Sequence, residues 1–240
     1  MGNEGKNPGL QPKKRPPILA PPPDFTARLK DMNENGFKCE LPVKLNITLF
    51  QVAFVKTSPP VQRWIKTAEI ILAPHNVSLD VHPGDGQPIK LNYNGGPLSA
   101  EFQYGEIRRA AHEAFDDKAN PMRLPIIICE FGSGAGREAA GVTKVNHNNI
   151  PDGRVTLEDG VTWLPFVLID ANGDIPDFCT LVHEIAHAAV LKHDSAGNDV
   201  FNILNVDSAD RTRFARRNIN KFQLRNLAKA YFARPKLVIK

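Results

Sequence analysis

Cysteine is scarce in this chain: three occur in 240 residues, Cys39, Cys129 and Cys179, at scattered spacings. An odd number without paired spacing excludes a disulfide framework and suits a reducing compartment. Cys129 closes the apolar run Leu124–Cys129 and Cys179 opens a helical pattern, so both read as core thiols rather than ligands. Long apolar runs are missing too; nothing approaches the roughly 18 residues a membrane-spanning helix needs. Near the start, Pro and Lys stand where a secretory apolar stretch would sit, so no cleavable signal peptide is read. Met1-Gly2 opens like an acylation signal, but Lys6 occupies the position that requires Ser or Thr. These absences predict a cytoplasmic protein, or one exported without a cleavable signal peptide, and no membrane partner.

What is present suits a globular domain. Hydrophobic residues make up 42% and charged residues 23%, enough of each for a core and a soluble surface. Residues 1–36, with Lys13-Lys14-Arg15-Pro16-Pro17 and Pro21-Pro22-Pro23, lack periodicity and read as a Pro-rich disordered tail. Residues 37–240 read as one domain. Leu41–Val55 alternates and then runs apolar, as a strand entering a core does. Val61–Leu72 has helical spacing, Val77–Val81 reads as a strand, and Gly84–Pro97 as a loop. A helix is expected over Glu106–Phe115, strands over Leu124–Phe131 and Val161–Ile169, and helices over Asp177–Lys192 and Lys221–Phe232. Mixed strands and helices predict an α+β class with a sheet of about four to five strands.

Chemistry concentrates in Leu181–Asp194. His183 and His187 are four apart, so a helix puts them on one face and lets both imidazoles hold one Zn²⁺. The opposite side carries Phe178, Val182, Ile185 and Ala189 and faces the core. Glu184, on the flank, can reach a metal-activated water without ligating, which makes it the candidate catalytic base. Ionisable groups among so many apolar neighbours are costly unless a partner such as a metal holds them. The third ligand has several candidates. No glutamate follows Glu184, which leaves His193 or an aspartate among Asp194, Asp199, Asp207 and Asp210. A continued helix would carry His193 about 15 Å beyond His183 along the axis, so His193 binds only if the helix stops near Val190 and turns back.

The eleven residues His183-Glu-x-x-His187-x-x-Val190-x-x-His193, followed by Asp194, resemble the metzincin signature of zinc peptidases. The resemblance implies zinc on His183, His187 and His193, Glu184 as general base and acid, and protein or peptide substrates. It also implies a metzincin-like mixed sheet in an upper subdomain (37–190) with the active-site helix at 177–192. A small helical lower subdomain (191–240) would follow. Two departures are evident. Val190 stands where the family has a glycine whose turn favours positive φ, which a β-branched residue resists. No methionine follows Met122, so the family's Met-turn has no sulfur here; Asn202-Ile203-Leu204-Asn205 falls in its place, with Leu204 as an apolar floor.

Weaker signals point elsewhere. Phe131–Arg137 is glycine-rich after a strand, but Arg137 stands where a dinucleotide loop needs its third glycine, so a mobile loop is expected. Cys39 could cap a metal in a latent form. From Arg211 to Lys240 there are ten Lys or Arg and no acid, which reads first as a solvated helix face. The alternative is a nucleic-acid footprint, as in the WLM-type and SprT-like proteases, which the motif also resembles. A non-catalytic zinc-binding protein is the remaining alternative.

Overall fold

The computed structural model describes residues 38–39, 41–55, 58–99, 103–115, 122–132, 140–148, 152–172, 179–197, 199, 201–205 and 217–234. The 1–36 tail, the glycine-rich stretch from 133 and both ends of the basic 211–240 segment (211–216 and 235–240) lie outside them. No helix among the described residues is long and apolar enough to cross a membrane.

Among the described residues the architecture is α+β, a mixed sheet with four α-helices. Its centre is strand β1 (Val43–Val52), flanked by β2 (Val77–His82) on one side and β4 (Leu124–Cys129) on the other, both parallel to it. Beyond β4 lies β8 (Phe166–Asp170), parallel again, and then the antiparallel edge strand β5 (Gly141–Lys144). Two short strands, β3 (Ile89–Leu91) and β9 (Ala233–Arg234), add to β1 away from this path. The remaining two, β6 (Val155–Thr156) and β7 (Thr162–Trp163), form a separate hairpin.

The period of two along each strand sorts side chains onto two faces. Leu45, Ile47 and Leu49 of β1, Ile126 and Ile128 of β4, and Val167 and Ile169 of β8 enter one core cluster. Phe50, Val52, Ile127, Cys129, Phe166 and Leu168 enter the other. The first face is covered by α1 (Val61–Leu72), α3 (Thr180–Ala188) and α4 (Lys221–Lys229); the second by α2 (Gln103–Ala114) and the hairpin side chain Trp163. Burial on both faces is why the central strands read as near-continuous apolar runs. In α1, Trp64, Ile65, Ala68, Ile71 and Leu72 are buried while Ile70 is exposed, the 3.6-residue stripe of a helix lying on a sheet.

Elements read from sequence recur with shifted ends. The expected strand over Val161–Ile169 divides at Leu164-Pro165 into β7 and β8, because proline removes a ladder donor there. The expected loop over Gly84–Pro97 contains β3, and the helix expected over Asp177–Lys192 is observed over Thr180–Ala188. Among the described residues the sheet has seven strands rather than the expected four to five, gaining β3, β5 and β9, which no sequence pattern marked.

One polar side chain stitches the first half of the sheet. Arg123, just before β4, donates from Nε to the Thr48 hydroxyl and from one terminal nitrogen to the Asp80 carboxylate. Its other terminal nitrogen reaches the carbonyls of Ile47 (2.8 Å) and Asp80 (2.7 Å). Replacing it by methionine keeps the stem but strips these partners of their donor. Arg123→Met should cost about 2–4 kcal/mol of unfolding free energy. A denaturation midpoint indistinguishable from wild type would show that water replaces the guanidinium at no cost.

Candidate metal centre

Helix α3 turns Leu181, Val182, Ile185, Ala186 and Ala188 into the core and leaves His183 and His187 half-buried on its other side. The helix ends in a Schellman motif. Val190 N–H donates to the His187 carbonyl (2.8 Å) and Leu191 N–H to the Ala186 carbonyl (3.3 Å), the 5→2 and 6→1 bonds of that cap. The residue that must turn left-handed is Val190, with φ 64. This position favours glycine, and a β-branched residue there costs about 1–2 kcal/mol. The strain is held in place by packing: Leu191 is buried behind the turn, and Gly153 lies so close that a Cβ on it would meet Val190 Cγ2 at 2.9 Å. Lys192 then runs extended, and His193 opens a 3-10 turn over His193–Ala196. The helix therefore stops and doubles back, as His193 needs.

The reversal brings three imidazoles together. His183 Nε2 and His187 Nε2 lie 3.1 Å apart, His187 and His193 3.0 Å, and His193 and His183 3.4 Å. Ligands at 2.0–2.1 Å around a tetrahedral ion are about 3.3–3.4 Å apart, so the triangle already has nearly the right edges. Among the described residues these three form the one group of candidate ligands within reach of a single ion. Asp194 and Cys39 do not belong to it; Cys39 packs against the core, its amide bonded to the His75 carbonyl.

Carbonyl oxygens set the tautomers. His183 Nδ1 donates to the Ile203 carbonyl at 2.6 Å, and His187 Nδ1 to the Leu191 carbonyl at 2.8 Å. With the proton on Nδ1, each Nε2 presents a lone pair, and lone pairs 3.1 Å apart repel unless a cation lies between them. Burial lowers the His187 pKa to about 4, the Leu191 carbonyl opposing that shift. The ring is therefore neutral, the form that binds a metal. Glu184 is buried, and desolvation raises its pKa to about 7, with a hydrogen bond from the Thr143 hydroxyl pulling the other way.

Behind His183 runs the segment Asn202-Ile203-Leu204-Asn205. Ile203 and Leu204 are fully buried, and Ile203 supplies the carbonyl that orients His183. The turn is pinned by Asn202, whose amide exchanges two hydrogen bonds with Gln223 of α4 (2.9 and 2.8 Å). Gln223 also accepts from the Asn220 amide N–H and donates to Ser195 in the His193 turn, so all four bonds of its buried amide are made. Asn220, the N-cap of α4, donates to the Ser195 carbonyl as well. One side chain thus ties the turn behind His183 to the turn that carries His193.

Sequence reasoning missed several neighbours of the site. The His147 ring stands 6.3 Å from that of His187, edge to face, brought there by the segment after β5. Gly141 and Thr143, both on β5, touch Glu184. No local pattern announces them, because an edge strand of four half-buried residues carries no apolar alternation. No protein-family model matches the chain, and no curated protein matches its sequence. The class defined by fold and geometry is an α+β protein whose three clustered histidines could hold a metal ion.

Gln223→Leu should lower metal affinity about 10- to 100-fold, the usual effect of losing an outer support of a ligand histidine. Competition with a chromophoric chelator measures it. Unchanged affinity would separate the Asn202 turn from the metal site.

Proposed function

We propose that the chain is a zinc-dependent endopeptidase of the metzincin-like kind, with His183, His187 and His193 holding the metal and Glu184 as general base and acid. The observation that carries this reading is the set of three converging Nε2 atoms, two of them on rings whose Nδ1 is committed to a carbonyl. Three imidazoles at near-tetrahedral spacing suit zinc. When bound, zinc would polarise the scissile carbonyl and make water acidic enough to lose a proton near neutral pH. Glu184, whose pKa is raised to about 7, is suited both to take a proton from the attacking water and to return it to the leaving amine. Val190 reaches the left-handed turn without glycine, and Ile203 with Leu204 stands in for the methionine floor.

The edge of the sheet supports an extended substrate. On one side β5 pairs with β8; on the other no strand pairs with it among the described residues. A peptide could add there as one more strand, main chain to main chain. The DNA-associated alternative rests on the charge of residues 211–240 together with the motif's resemblance to the WLM-type and SprT-like proteases.

Wild type should carry one zinc per chain and cleave an unfolded protein such as casein, with a chelator abolishing and zinc restoring cleavage. Glu184→Gln should keep the zinc and lose about 10²–10⁴-fold in turnover. His193→Ala should weaken both zinc and cleavage, whereas Asp194→Ala should weaken neither. Cleavage by Glu184→Gln at the wild-type rate would remove Glu184 from the mechanism, and a chain that takes up no zinc would end the metallopeptidase reading.

A further inference from the structure

The carboxylate of Glu184 is buried, yet neither α3 nor the three histidines supplies the hydrogen bond it accepts. That bond comes from β5. Thr143 Oγ1 lies 2.6 Å from Glu184 Oε2 and 3.0 Å from the Glu184 main-chain carbonyl. A hydroxyl has one proton to give, and 2.6 Å is the separation of a charge-assisted O–H···O⁻ bond, so the carboxylate is the stronger acceptor. Two residues earlier on the same strand face, Gly141 presses against the same side chain. A Cβ at Gly141 would fall 2.8 Å from Glu184 Cγ, 2.9 Å from Oε1 and 3.0 Å from Cδ. No larger residue fits there without moving the carboxylate.

The strand register explains why both contacts fall on one side chain. Gly141 pairs with Ile169 and Thr143 with Val167, both of which point into the core beneath α3. The same face of β5 is therefore turned toward the helix. A free glutamate side chain has three torsions to order. Here backbone on one side and a hydroxyl on the other leave it little room.

We infer that Thr143 is a positioning residue for Glu184, its hydroxyl clamping the carboxylate against the Gly141 backbone so that the base is pre-set before any ligand arrives. The role rests on the peptidase reading of the site, and its test has a readout that needs no turnover. Acetohydroxamate binds a zinc ion through its two oxygens and donates a hydrogen bond to a correctly placed carboxylate, so its affinity reports where Glu184 stands.

The experiment uses the full zinc-loaded chain and measures zinc content, acetohydroxamate affinity by calorimetry, and peptide cleavage. Thr143→Val, nearly isosteric, should keep one zinc, weaken acetohydroxamate about tenfold, and lower kcat about 10- to 100-fold at unchanged KM. Thr143→Ser should restore both to within about threefold of wild type, since the hydroxyl is what matters. In the Glu184→Gln background, where no carboxylate remains to be held, Thr143→Val should change hydroxamate affinity little. Three results overturn the inference: wild-type affinity and kcat in Thr143→Val, a serine variant as impaired as the valine one, or an equal loss in both backgrounds. If Thr143→Val lowers zinc content, the comparison is made per zinc-loaded molecule, and the Glu184→Gln pair still decides. A wild type that binds acetohydroxamate but cleaves nothing ends the peptidase reading, and the hydroxamate measurements alone then judge Thr143.

Discussion

The three histidines depend on one unfavourable backbone conformation. Continued for another turn, α3 would leave His193 too far along the helix axis from His183 to share an ion with it. The chain reverses because Val190 takes φ 64 and lets Leu191 complete the helix cap. A β-branched residue does not choose that conformation by itself. It is imposed by burial of Leu191, by the two cap hydrogen bonds and by the close approach of Gly153, whose own φ of 65 needs glycine. Strain at one residue, spread over a packed neighbourhood, thus converts a helical pair of histidines into a triangle.

Much of this was legible in the sequence, and the limits have physical reasons. The spacing of His183 and His187 is a helical fact, readable without tertiary information. The stop before His193 could be deduced only as a requirement, and Val190 read as an objection to it, because propensity is local while the force that overrides it comes from Gly153 and Leu191. The α+β class followed from periods of 3.6 and 2, and β1, β4 and β8 were readable because both their faces are buried. Strand β5 was not, since its four residues are half-buried and follow a glycine-rich stretch. That omission hid Gly141 and Thr143 with it. Gln223 was equally silent: a lone glutamine on an amphipathic helix looks like surface, yet here it is fully buried.

The site is assembled from elements with different jobs. Helix α3 carries two candidate ligands and the candidate base, but α3 alone orients none of them. Carbonyls of Ile203 and Leu191 choose the tautomers, β5 meets the carboxylate, and α4 grips the two turns on which His183 and His193 rely. Each of these supports comes from a different part of the chain, so the geometry is a property of the folded sheet rather than of the motif.

The grip of Gln223 has a consequence for the order of events in synthesis. His193 is translated thirty residues before Gln223 (223 − 193 = 30), and the C-terminal strand β9 that docks beside β1 comes later still. While those residues are inside the ribosome, the nascent chain already displays all three histidines but not the clamp that joins their turns. The clamp is therefore completed only once α4 has emerged, and a chain that stalls earlier carries the three histidines without the link between their turns.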